Sequence, residues 1–152
     1  MLLNWLIAEN ISEVGISWFD FYSIGHICFG IGVFLFFSLF YTIPKNKGLT
    51  SIFSLLFVFI LSIIIFILWE VFENILFLKI GWKFEGRPDS FQNMFTDILC
   101  GIIGALLSWL FCHEIFVKEK NIWAYYIFGI IGFTLWLVVF MILRAYTYGY
   151  IP

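Results

Sequence analysis

The sequence predicts an all-α, polytopic integral membrane protein with four transmembrane helices and a short N-terminal interfacial helix. Of its 152 residues, 63% are hydrophobic and only 12% are charged, whereas soluble domains are about 45–50% apolar and about 25% charged. The chain therefore has too few polar residues to cover a water-facing body of this size. Four apolar runs, each long enough to cross a bilayer, take up most of the chain and leave only short connections.

We predict a single membrane domain over residues 1–152, with spanning helices at residues 21–43, 51–78, 90–116 and 122–143. The first run stops at Pro44, where a proline and a polar turn interrupt it. Asp89 precedes the third run and Gln92 follows three residues later, which is the pattern of a capping box. Residues 1–18 precede the first run and have apolar and polar residues suited to a helix lying along the interface, with Trp5 and Trp18 as anchors.

The charge and the cysteines of the chain limit what the protein can be. The formal net charge is -2 and no basic stripe is present, which argues against a nucleic-acid-binding protein. The three cysteines are isolated in apolar segments and are expected to be small buried hydrophobic residues. The expected setting is a multi-pass position in a cell membrane, where the partners are the lipid bilayer and other membrane proteins or a second copy of this chain.

Acidic residues gather on one predicted membrane face, the one that carries both termini and the loop between the second and third helices. Eight of the ten acids are placed there: Glu9, Glu13, Asp20, Glu70, Glu73, Glu85, Asp89 and Asp97. At about 1.5 Å per residue, His26, Glu70 and Asp97 lie at similar depths, one or two turns below that face. Ionisable residues inside a membrane are functional candidates.

Helical spacing places the candidate site on three stripes that face one another. The residues are Tyr22 and His26 on the first helix, Glu70, Glu73 and Asn74 on the second, and Asp89, Asn93 and Asp97 on the third, with Asp20 and Arg87 beside them. Gly101 and Gly104 continue the third stripe, and small residues at this spacing allow close helix packing.

Buried carboxylates need a compensating partner. Proton sharing, pairing with His26 or Arg87, and a bound cation would each supply one. One imidazole with several carboxylates suits a divalent metal such as Mn, Fe, Zn or Mg, and the candidate metal ligands are His26, Glu70, Glu73 and Asp97. Asp97 and Glu73 are also the candidate catalytic residues, with Asp97 as general base. The alternative is an ion-pair network that only fixes helix register.

The order of motifs resembles the VanZ-like membrane proteins and, within that group, the YjdF-type bacterial inner-membrane proteins. The motifs are Gly25-His26 followed by Phe29-Gly30, the Trp69-Glu70-Val71-Phe72-Glu73 segment, and an Asp-, Asn- and Gln-containing helix start that leads into GIIGALL. The resemblance covers about residues 20–108 and implies a role at the cell envelope, where VanZ-like proteins are linked with glycopeptide resistance.

Two functions follow as hypotheses. In the first, the polar pocket would hold one divalent metal ion and would act on or bind a lipid or cell-envelope headgroup. In the second, the chain is a non-catalytic accessory subunit of a larger membrane protein complex, and the pocket is a structural ion-pair network.

Overall fold

The computed structural model describes residues 4–83, 86–143 and 145, and the described chain is helical without strands. Its helices are α1 (Tyr22–Asn46), α2 (Leu55–Val71, followed by a π-helical turn, Phe72–Phe77), α3 (Phe91–Val117) and α4 (Trp123–Val138, followed by a π-helical turn, Val139–Leu143). All four are long and apolar enough to cross a membrane. The predicted fold class is confirmed.

α1 continues past the proline that was expected to stop it. Pro44 has no N–H to donate to the carbonyl of Phe40, and the N–H of Ile52 donates to that carbonyl instead, at 3.0 Å. The helix then ends at Asn46 with Lys47 as its C-cap residue, and Gly48 takes a positive φ of 73°. The loop thus supplies the hydrogen bond that proline removes, which allows the helix to reach Asn46.

α3 begins with a different cap from the predicted one. The Ser90 hydroxyl accepts from the N–H of Asn93 at 3.1 Å, so Ser90 is the N-cap residue and the capping box from Asp89 to Gln92 was wrong. The Asp89 carboxylate instead accepts from the Lys83 ammonium at 2.5 Å. A buried cation is a stronger partner for a carboxylate than a backbone N–H.

α1 packs against the other three helices, most extensively against α3. At their crossing, Gly30 lies against the backbone of Gly101, and Gly104 lies against the backbone of Ile27. The close packing predicted from small residues on α3 is therefore present. Toward the opposite end, α4 is tied to α1 by a hydroxyl contact of 2.7 Å between Ser38 and Tyr125.

The N-terminal segment differs from the predicted interfacial helix over residues 1–18. Residues 1–3, like Glu85 and Arg144, lie outside the described residues, and residues 4–18 contain one short 3-10 helix, Ile11–Glu13. The Glu13 carboxylate accepts from the N–H groups of Glu9 and Asn10 and from the Asn4 side chain. The Glu9 N–H, with these other donors, lowers the pKa of Glu13. Side-chain acceptors that bind local N–H groups compete with a continuous helix.

Candidate functional site

His26 is the centre of a buried row of ionisable side chains contributed by three helices. Its Nδ1 lies 3.8 Å from Oε1 of Glu70 on α2, and its Nε2 lies 3.6 Å from Oδ2 of Asp97 on α3. All three residues are 5% exposed or less. The close approach of α1 and α3 at their glycines positions the imidazole between the two carboxyl groups.

The Glu73 carboxylate lies close to His26 and Glu70. One ligand atom from each of His26, Glu70 and Glu73 lies within 4.8 Å of the others, a grouping that could hold a metal ion. Glu73 stands in the π-helical turn that extends α2, and such turns occur frequently at functional sites. Three of the four predicted ligands therefore converge, while Asp97 faces the other ring nitrogen.

Lys83 is a site residue that the sequence patterns did not single out. Its ammonium donates to Oε1 of Glu73 at 3.3 Å and to Oδ2 of Asp89 at 2.5 Å, and its side chain is 1% exposed. A lysine in a short polar loop is ordinarily solvated, so only its three-dimensional contacts identify it. It links the end of α2 to the loop before α3.

Asp20 anchors the N-terminal segment to the helices. Its carboxylate accepts from the N–H groups of Gly15 and Tyr22, at 3.0 and 2.8 Å, and from the side-chain amide of Asn93 at 3.2 Å. Burial raises the pKa of Asp20 even though these donors favour its charged form. Asn93 also donates to the carbonyl of Ser17 at 3.1 Å.

Two predicted polar residues hold the backbone around the site. Arg87 donates to the carbonyls of Ser12 and Val14, at 2.8 and 2.9 Å, so it fastens the N-terminal segment to the loop before α3. Asn74 accepts from the N–H of Asp89 at 2.7 Å and donates to the carbonyl of Glu70 at 3.1 Å. These contacts fix the backbone of the N-terminal segment and of the loop before α3 beside the cluster.

The cluster lines a small cavity of about 10 Å³, which is room for about one water molecule. Its lining residues are Val14, Gly15, Asp20, Tyr22, His26, Glu73, Lys83, Asp89, Asn93 and Asp97. Gly15 has a φ of 73°, and a Cβ there would overlap Oδ1 of Asp89. Glycine is therefore required where the N-terminal segment closes over the cavity.

The site has more potential negative than positive charge. Among the described residues around it are five carboxyl groups (Asp20, Glu70, Glu73, Asp89 and Asp97) and two basic side chains, Lys83 and Arg87. With His26 neutral, full ionisation would leave a net charge of -3. Buried charge of this kind is neutralised by protons or by a bound cation.

The ten predicted site residues all belong to this neighbourhood, in different roles. Seven line the cavity, Glu70 contacts His26, and Asn74 and Arg87 hold the surrounding backbone. Sequence reasoning missed three: Lys83, Gly15, and Ser23, whose hydroxyl donates to Asp97 at 3.2 Å. Ser23 lies three residues before His26, on an adjacent part of the α1 surface, and this spacing is the signal that could have found it.

No protein-family model, curated protein or solved structure matches this chain. The fold class and the convergence of the polar side chains therefore rest on the sequence and structure of this chain alone. The resemblance to VanZ-like proteins stays a prediction.

Proposed function

We propose that this chain is a VanZ-like protein of the cell membrane that binds one divalent metal ion at its polar site. The ligands are His26, Glu70 and Glu73, and the site acts on or binds a lipid or cell-envelope headgroup. The observation that carries the proposal is the convergence of the three ligand atoms within 4.8 Å in a buried place. Two carboxylates would neutralise a divalent ion, and the imidazole adds a ligand that Mn, Fe and Zn accept.

Asp97 would orient the His26 imidazole toward the metal ion. Imidazole ligands commonly present their second ring nitrogen to a carboxylate, which fixes the ring orientation. Asp97 faces Nε2 of His26 from the side opposite Glu70, and Ser23 holds Asp97 in turn. In this proposal Asp97 is a positioning residue. The general-base role expected from the sequence stays a prediction.

Three protein ligands leave coordination positions for water and for an oxygen of a headgroup. A metal in this place would polarise an ester or phosphate group. The cavity has room for about one water molecule, so a headgroup can enter only when the N-terminal segment moves away. Such a movement would break the contacts of Arg87 with Ser12 and Val14.

Titration of the chelator-treated protein in mild detergent with Mn²⁺, Zn²⁺, Fe²⁺ and Mg²⁺ tests the site. His26→Ala and Glu70→Gln are each expected to weaken binding of the preferred ion by about 100-fold or more, because each removes a ligand. Asp97→Asn is expected to weaken it by about 10- to 100-fold, the range found for residues that orient a ligand. Circular dichroism should show unchanged helix content.

Matched controls lie at the opposite end of α3. His113 and Glu114 are exposed, so His113→Ala and Glu114→Gln remove the same side-chain types and should bind the ion as the wild type does. Equal affinity in the wild type, His26→Ala and Glu70→Gln would overturn the proposed ligands.

A second candidate is an accessory subunit in which the cluster is purely structural. The pairing of Lys83 with both Glu73 and Asp89 favours it, since this pairing already neutralises part of the charge. The same titration separates the two candidates, because a structural network predicts no binding of any of the four ions by the folded wild type.

A further inference from the structure

Lys83 contacts one of the three candidate metal ligands. Its ammonium lies 3.3 Å from Oε1 of Glu73, and Glu73 is one of the three residues whose ligand atoms converge. Lys83 and His26 also line the same cavity. An ammonium and a divalent ion that share one carboxylate in so small a space repel each other strongly in a low-dielectric environment.

We propose that Lys83 is a tethered competitor for the metal ion: its ammonium occupies Glu73 in the metal-free protein and leaves Glu73 when the ion binds. This inference rests on the metal site proposed above. The Asp89 carboxylate is the second partner of the ammonium, so Lys83 can release Glu73 and keep a counter-charge. Metal binding is thereby coupled to a displacement of the Lys83 ammonium.

The displacement falls on the Lys83 side chain, because its backbone is held in place. The Lys83 N–H donates to the carbonyl of Phe77 at 3.2 Å, and its carbonyl accepts from the N–H of Gly86 at 3.3 Å. The Lys83 side chain is itself long and unbranched, with a charge on a flexible stem. A shift of the ammonium therefore does not require the helices to move.

With Mn²⁺ as the probe, competition predicts the metal affinity of two variants and the chemical reactivity of the wild-type amine. Lys83→Met removes the charge and keeps most of the stem, so it should bind Mn²⁺ about 10-fold more tightly or better. Lys83→Arg keeps a cation at the site and should stay much closer to the wild type. In the wild type, saturation with Mn²⁺ should raise the reactivity of the Lys83 amine toward an acylating reagent, measured by mass spectrometry, because release from Glu73 removes one of the carboxylates that hold the amine. Lys45 and Lys47, which are exposed, serve as internal controls whose labelling should not change.

The labelling measurement needs no variant, so the inference stays testable if Lys83→Met does not fold. Wild-type protein that binds Mn²⁺ without any rise in Lys83 labelling would overturn the competition and leave the metal site standing. If neither the folded wild type nor Lys83→Arg binds any divalent ion, the proposed function fails and the inference fails with it.

Discussion

Replacing Gly104 with alanine is expected to lower the free energy of unfolding by about 1–3 kcal/mol, the usual range for overpacking. The added methyl group would overlap the carbonyl oxygen of Ile27 in α1. A backbone atom in a helix cannot rotate away as a side chain can, so α1 and α3 must separate. Unfolding in a mixed-detergent titration measures the loss, and Leu107→Ala, an exposed position on the same helix, should cost much less.

Gly30 provides a second test of the same contact. Its alanine variant would overlap the carbonyl oxygen of Gly101, so the two glycines face each other's helix reciprocally. Once one methyl group has separated the helices, the other should cost less. The double variant is therefore expected to lose less stability than the sum of the two single variants. Strict additivity would show that the two glycines do not share one helix contact.

Replacing Asp20 with alanine is expected to detach the N-terminal segment from the helices and to lower the free energy of unfolding by about 3 kcal/mol. The change leaves buried donors of Gly15, Tyr22 and Asn93 without their acceptor, and each unsatisfied donor costs about 1–3 kcal/mol. Hydrogen exchange should rise in residues 4–20 before it rises in α1. Asp20→Asn keeps one acceptor oxygen and should fall between alanine and the wild type.

The pH dependence of this residue follows from its burial. Because burial raises the pKa of Asp20 above its ordinary value of 3.8, the folded state holds its proton to a higher pH than the unfolded state does. Its contribution to stability is therefore fully present below 3.8 and is lost as the pH rises through the raised folded-state pKa. Asp20→Asn should lack this slope in an otherwise identical pH series. The same slope in both proteins would contradict the assignment.

Helix content and the central cluster could be predicted from the sequence because both follow from periodicity and hydropathy. Long apolar runs have no other stable arrangement in a bilayer than helices. The positions of His26, Glu70 and Asp97 within those helices set their depth and therefore their convergence. The structure brings these three together within ion-pair distances of 3.6–3.8 Å.

The covering of the site could not be predicted in the same way. Residues 4–18 were expected to be a helix, yet their path depends on distant acceptors such as Asp20 and on donors such as Arg87. The π-helical turn that positions Glu73 has no signal in an apolar run. Lys83 is buried by contacts across a loop, and loop conformations depend on tertiary contacts rather than on helical or strand periodicity.

The metal content of the wild-type protein, purified in mild detergent without added metal, tests the central claim most directly. Elemental analysis is expected to find about one divalent metal atom per chain, and Glu70→Gln purified alongside should retain almost none. Folded wild-type protein that contains no more metal than Glu70→Gln would contradict the account and would assign the cluster of His26, Glu70 and Glu73 to a structural role.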